Sequence, residues 1–94
     1  MANDVLIPTP LRVYVDKRDV VTVEGGTVGE LLQNLTAQYS ELRNHLYSKD
    51  GRLRRFVNVY LNDDDIRYLD KEATTVKDGD TLSIVPSVAG GDDE

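Results

Sequence analysis

Apolar positions along this chain fall first at the alternating spacing of strands, then at helical spacing, then at strand spacing again, and these changes divide it into elements. Residues Asp4 to Val15 read as extended. Val5 and Ile7 share one alternation, and Leu11, Val13 and Val15 share another after Pro8 and Pro10, which suit an edge or a bend. The polar cluster Asp16-Lys17-Arg18-Asp19 suits a hairpin tip, and Val21 and Val23 around Thr22 form a second short strand ending at Glu24. The two runs are predicted to pair antiparallel, and Gly25-Gly26 to break the second one as a turn.

At Thr27 the period changes. Thr27-Val28-Gly29-Glu30 is a capping box, in which the Thr27 hydroxyl accepts from the Glu30 N–H and the Glu30 carboxylate reaches back to the Thr27 N–H. Val28, Leu31, Leu32, Leu35 and Tyr39 follow at helical spacing, leaving Glu30, Gln33, Asn34 and Gln38 on the wet side of a core helix. Leu42 and Leu46 allow a further helical turn, with His45 facing away from them into solvent, before the loop Lys49-Asp50-Gly51-Arg52.

Strand spacing returns at Phe56. Val57, Val59 and Leu61 share one face of a run from Phe56 to Leu61, and Phe56, Asn58 and Tyr60 share the other, so Phe56 and Tyr60 are candidates for either a partner surface or core packing. Asn62-Asp63-Asp64-Asp65 reads as a charged turn: consecutive aspartates in an extended chain point apart, and a calcium loop also needs alternating ligands, a glycine turn and a distant glutamate. Ile66 to Leu69 reads as a short fourth strand, and Thr75 to Lys77 leads through the turn Asp78-Gly79-Asp80 into Thr81-Leu82-Ser83-Ile84-Val85, which ends at Pro86. Two hairpins around one helix, closed by an apolar last strand, predict an α+β fold of the β-grasp type, a mixed sheet packed on one main helix. Residues 1–86 form that domain and 87–94 a flexible arm with a diglycine and an acidic tail.

Composition narrows the chemistry. Ninety-four residues with 39% hydrophobic and 30% charged side chains make one globular domain. No run is apolar enough to span a membrane, and no basic-then-apolar leader opens the chain, which predicts a cytoplasmic protein with no membrane partner. A net charge of −6 argues against nucleic acid and favours a basic partner surface. The cluster Arg52, Arg54 and Arg55 lacks interleaved aromatics and reads as a solvated or partner-facing edge. There is no cysteine and only one histidine, so thiolate nucleophiles, disulfides and multi-imidazole metal sites are excluded. With no nucleophile–base pair or phosphate-cradling loop either, the chain reads as a non-enzyme that binds no cofactor.

The remaining covalent handle is a carboxyl terminus. Gly90-Gly91 has no side chains to obstruct it, so it can lie extended in a narrow channel with its backbone close to a partner.

Asp78-Gly79-Asp80 to Val85-Pro86, followed by Val88-Ala89-Gly90-Gly91, resembles the C-terminal signature of the ThiS and MoaD sulfur carriers, relatives of ubiquitin. Ile7-Pro8-Thr9 with Leu11-Arg12, the run Arg55 to Asp63, and Ala73-Thr74 resemble the branch of that family used for cysteine biosynthesis in actinobacteria. The resemblance implies a carrier that performs no catalysis. A ubiquitin-activating-type enzyme, using ATP and magnesium, adenylates the terminal glycine carboxylate, and sulfide or a persulfide displaces AMP to leave a thiocarboxylate. The acceptor in this branch is an aminoacrylate on a PLP-dependent cysteine synthase, from which a metalloprotease later releases cysteine. By this resemblance Gly91 carries the sulfur, and Val88, Ala89 and Gly90 form the arm that enters the partner.

One departure from the family pattern matters. Asp92-Asp93-Glu94 follows the diglycine, so the Gly91 carbonyl is held in a peptide bond and the chain reads as a precursor. Cleavage between Gly91 and Asp92, expected from a zinc metalloprotease, removes three acidic side chains and frees the carboxylate. Other outcomes stay open: sulfur donation to molybdopterin, thiamine or tRNA, conjugation of Gly91 to lysine amines as a ubiquitin-like modifier, or a non-covalent β-grasp interaction module.

Overall fold

The computed structural model describes residues 2–86, and these form a five-stranded mixed sheet covered on one face by helices. β1 (Ala2–Leu6) pairs antiparallel with β2 (Val20–Glu24). Two helices follow, α1 (Val28–Gln38) and α2 (Ser40–Leu46), then the tight hairpin of β3 (Val57–Leu61) and β4 (Asp64–Asp65), and finally β5 (Thr81–Pro86). The spatial order is β2-β1-β5-β3-β4, with β5 parallel to β1 and antiparallel to β3. This is the predicted β-grasp, in which the last strand lies between the two hairpins.

The core lies between α1 and the inner face of the sheet. Val28, Leu31, Leu32 and Leu35 of α1 are completely buried, against Val5, Val21, Val23, Val59, Leu61, Leu82 and Ile84 from four strands. Each such side chain contributes about 1.5–3 kcal/mol relative to an exposed one, so the stripe on α1 is the largest single block of stabilisation. Leu42 and Leu46 of α2 extend it, and both are fully buried. Tyr39 is half-buried at the break between the two helices, outside α1 itself.

The capping box forms with one change of partner. The Thr27 hydroxyl accepts from the Glu30 N–H at 3.2 Å, but Glu30 Oε1 accepts from the Gly26 N–H at 2.7 Å in place of Thr27. The Gly25-Gly26 turn owes its composition to this packing: a Cβ on Gly25 would stand 2.9 Å from the Leu31 backbone nitrogen and 3.0 Å from the Glu30 Cβ.

Three expectations are corrected. Thr9–Val15 is a 3₁₀ helix, where the alternation of Leu11, Val13 and Val15 had predicted strand. Pro10 supplies helical φ near its start, and the helical turn buries Leu11 and Val15 while leaving Val13 63% exposed, which a strand carrying all three on one face cannot do. Asp16 and Lys17, at φ of 58° and 62°, end it, so the β1–β2 connection is this helix and its left-handed exit. Ile66–Tyr68 is likewise a 3₁₀ turn, with the Asp65 carboxylate capping the Arg67 N–H at 2.9 Å, and the fourth strand is Asp64–Asp65 instead. His45 is half-buried, its ring stacked on Tyr14 at 4.1 Å between centroids.

Candidate functional site

The start of β5 is fixed by a polar knot. In the Asp78-Gly79-Asp80 turn, Gly79 takes φ of 88°, and the Asp80 carboxylate accepts from the Lys77 N–H at 2.8 Å and from the Asn62 amide at 3.1 Å. These donors, the Lys77 N–H first, hold the Asp80 carboxyl below the usual carboxylate range. Asn62 also exchanges bonds with the backbone of Thr81, and the Asn3 amide donates to the Lys77 and Asp80 carbonyls, both at 2.9 Å. The start of β1, the end of β3 and the start of β5 are thereby tied together.

At its other end, β5 leaves the sheet beside Val57, which is the partner of Pro86 in the ladder. The sequence-assigned arm Val88, Ala89 and Gly90, the sulfur-attachment residue Gly91 and the processing bond to Asp92 all lie beyond Pro86, outside the described residues. What the structure provides is their point of departure, the end of a strand whose first half pairs with both β1 and β3 and whose last residues, Ile84 to Pro86, pair with β3.

The outer face of the sheet surrounds that exit. One row crosses all five strands, Val20, Leu6, Ser83, Tyr60 and Asp65, with Asn58 and Val85 as the neighbouring pair. Leu6 and Val85 are 41% and 44% exposed, and Tyr60 is half-buried among them. Arg67 borders this face: it binds both Asp65 carboxylate oxygens, with Nη2 2.7 Å from Oδ2, and the Asn58 amide oxygen at 2.8 Å. That fork holds the Asp65 carboxyl below its ordinary range and raises the guanidinium of Arg67.

Of the two residues the sequence offered for a partner surface, Tyr60 lies on the outer face of β3, whereas Phe56 does not join it in the strand. β3 begins at Val57, and Phe56 stands exposed in the preceding turn beside Arg54 and Arg55. Leu6, Val85 and Arg67 were missed. The signal for the first two was present, since each is apolar at a position where its strand's alternation calls for a polar residue.

The basic cluster lines a groove of about 500 Å³ along the edge of β3. Val57, Val59 and Ile66 floor it, and Arg52, Arg55 and Lys71 stand on its rim. At the C-terminal end of α2, the Tyr47 hydroxyl is buried without a hydrogen-bond partner among the described residues, and burial, reinforced by the Glu72 carboxylate, pushes its pKa up to about 12. Among the described residues no three His, Cys, Asp or Glu side chains group as metal ligands, and no helix is long and apolar enough to cross a membrane.

The sequence profile of the ThiS family matches residues 5–91 and so ends at the second glycine of the arm. The chain belongs to the ThiS family. It is 43% identical over 89 residues to the sulfur carrier protein CysO of Mycobacterium tuberculosis, covering 93% of this chain and 96% of that one. Among solved structures it resembles a chain of the Amycolatopsis orientalis BexX/CysO complex at 40% identity and a TM-score of 0.84, over 94% of this chain and 98% of that one. It also resembles small archaeal modifier protein 1 of Methanosarcina acetivorans at 27% identity and a TM-score of 0.88, with 96% of each chain covered. The β-grasp is thus the shared fold of these ThiS-family and ubiquitin-like relatives.

Proposed function

We propose that this chain is a sulfur carrier that transports sulfur as a thiocarboxylate on Gly91 and serves cysteine biosynthesis. The observation that carries this reading is that the family match stops at Gly91, five residues beyond the end of a central, doubly paired strand, with three acidic residues left over. Hydrolysis of the Gly91–Asp92 bond by a metalloprotease consumes one water and frees the Gly91 carboxylate. That carboxylate attacks the α-phosphorus of ATP on a magnesium-dependent partner, releasing pyrophosphate and forming an acyl adenylate. Sulfide then attacks the carbonyl carbon and AMP departs. The carboxylate is a poor electrophile and the adenylate a good one, which is why the carrier needs an activating partner and no catalytic residue of its own. The cysteine branch, with a PLP-dependent synthase as acceptor, is supported by the 43% identity to CysO over nearly the whole chain. The outer face around Leu6, Tyr60 and Val85 serves as the docking surface for these enzymes in the cytoplasm.

The likeness to an archaeal modifier protein favours a second use of the same activated carboxyl, amide formation with a lysine amine. One measurement separates the readings: the intact mass of the protein from its native cells, with its C-terminal peptide sequenced. The carrier predicts a species ending at Gly91, part of it heavier by exchange of one oxygen for sulfur. Recovery of only the chain ending at Glu94 during active sulfur assimilation overturns it, and isopeptide-linked species without the sulfur exchange favour the modifier.

A further inference from the structure

In a chain of net charge −6, the groove along β3 gathers Arg52, Arg54, Arg55, Arg67 and Lys71 around only two carboxylates, Asp65 and Glu72. Asp65 is occupied by the fork from Arg67. Among the described residues the other four cations make one contact with an acid, Arg52 to Asp50 at 4.0 Å across an exposed surface. Among the described residues the groove is also open on its strand side, because β4 pairs with Tyr60 and Leu61 and no strand pairs with the Val57–Val59 edge of β3 there. A positively charged rim over an apolar floor at an open strand edge suits an extended acidic peptide.

The chain carries such a segment within reach. Pro86, where β5 ends, is the ladder partner of Val57, and Arg55 and Arg54 precede Val57 by two and three residues. Asp92 lies six residues beyond Pro86, and six extended residues span about 20 Å, enough to pass β3 to its open edge, two strand spacings of about 4.8 Å away, and run along the rim. We propose that this groove is the binding site for the chain's own acidic segment Asp92-Asp93-Glu94, docked intramolecularly in the uncut protein. A short tether gives an effective concentration on the order of 1 mM, so a contact of about millimolar intrinsic affinity, from the charged rim and the apolar floor together, is half-populated. The docking does not depend on sulfur chemistry, so either proposal can fail while the other stands.

The test compares backbone amide spectra of three forms: the 94-residue chain, the chain ending at Gly91, and a full-length Asp92→Asn/Asp93→Asn/Glu94→Gln variant. Truncation and neutralisation are expected to move the amides of Arg52 to Val57 and of Lys71 and Glu72 in the same direction. The difference is expected to be independent of protein concentration and to collapse in about 1 M salt, where the Debye length is about 3 Å. In an Arg52→Glu/Arg55→Glu background, whose fold is checked by its denaturation midpoint, the three spectra should coincide outside the arm. Changes confined to the arm in the parent protein overturn the proposal. So does a concentration-dependent difference, which would assign the segment to a second copy of the chain.

Discussion

The inner and outer faces of the sheet are built from alternate residues of the same strands, yet they carry opposite burdens. In β5, Leu82 and Ile84 point to α1 and are 0% and 3% exposed, while Ser83 and Val85 point outward and Val85 is 44% exposed. The inner residues hold the strand in place and are interchangeable only at a cost in stability. The outer residues contribute little to folding, which leaves an apolar patch on a highly charged protein available for partner recognition.

Truncation on the two faces should separate these burdens most strongly. Leu82→Ala removes a fully buried side chain and should destabilise the domain by about 2–5 kcal/mol in chemical denaturation, whereas Val85→Ala should stay within about 0.5 kcal/mol. Equal losses would mean that the outer face is structural. The inner layer should also show an alkaline limit. Tyr47 has its pKa raised by burial to about 12, so the unfolded chain gives up that proton first, and stability should hold below about pH 10 and fall between about pH 10 and 12. Tyr47→Phe should remove that part of the fall, on the order of 2 kcal/mol, and leave neutral-pH stability unchanged or slightly higher, because the hydroxyl it deletes has no partner.

The converse effect belongs to the outer face. Leu6→Ala/Val85→Ala should raise KM for the proposed adenylating partner about tenfold with kcat unchanged, since it removes the proposed binding surface and no reacting group. Thr27→Ala, which deletes the N-cap of α1, should cost about 1 kcal/mol in stability without altering that KM. Smallest in expected size is the acid limb. Asp65 and Asp80 are held below the usual carboxylate range, so their contribution is present above that range and is lost as pH falls through their folded values. Asp80→Asn should flatten the acid side of a stability–pH profile.

Much of the site's scaffold was legible in one dimension, and the misreadings share a cause. The strand period of Val57, Val59 and Leu61, the helical stripe from Val28 to Leu35, and the turn chemistry of Asp78-Gly79-Asp80 each lie within one short window, where spacing and side-chain type decide the outcome. The Leu11-Val13-Val15 run fits a strand in the same window, and only the burial of Leu11 and Val15 with Val13 left outside selects the 3₁₀ helix. Ile66-Arg67-Tyr68-Leu69 has strand-like composition, but the Asp65 cap on the Arg67 N–H turns it. Glu30 accepts from the Gly26 N–H, one residue before the donor of the standard capping box.

The order of strands and helices, the core stripe, the absence of thiol chemistry and the diglycine beyond the last strand all follow from local pattern and composition, because period, capping and residue type act over a few neighbours. The position of β5 between β1 and β3 brings together residues 25 and 77 apart in sequence, Ile84 with Val59 and Leu82 with Val5. That arrangement, the row from Val20 to Asp65 across five strands, and the meeting of Arg52 and Arg55 with Lys71 over an open strand edge are decided only in three dimensions. A side chain's period tells which face it takes, but which faces and edges meet depends on how the whole chain closes over its core.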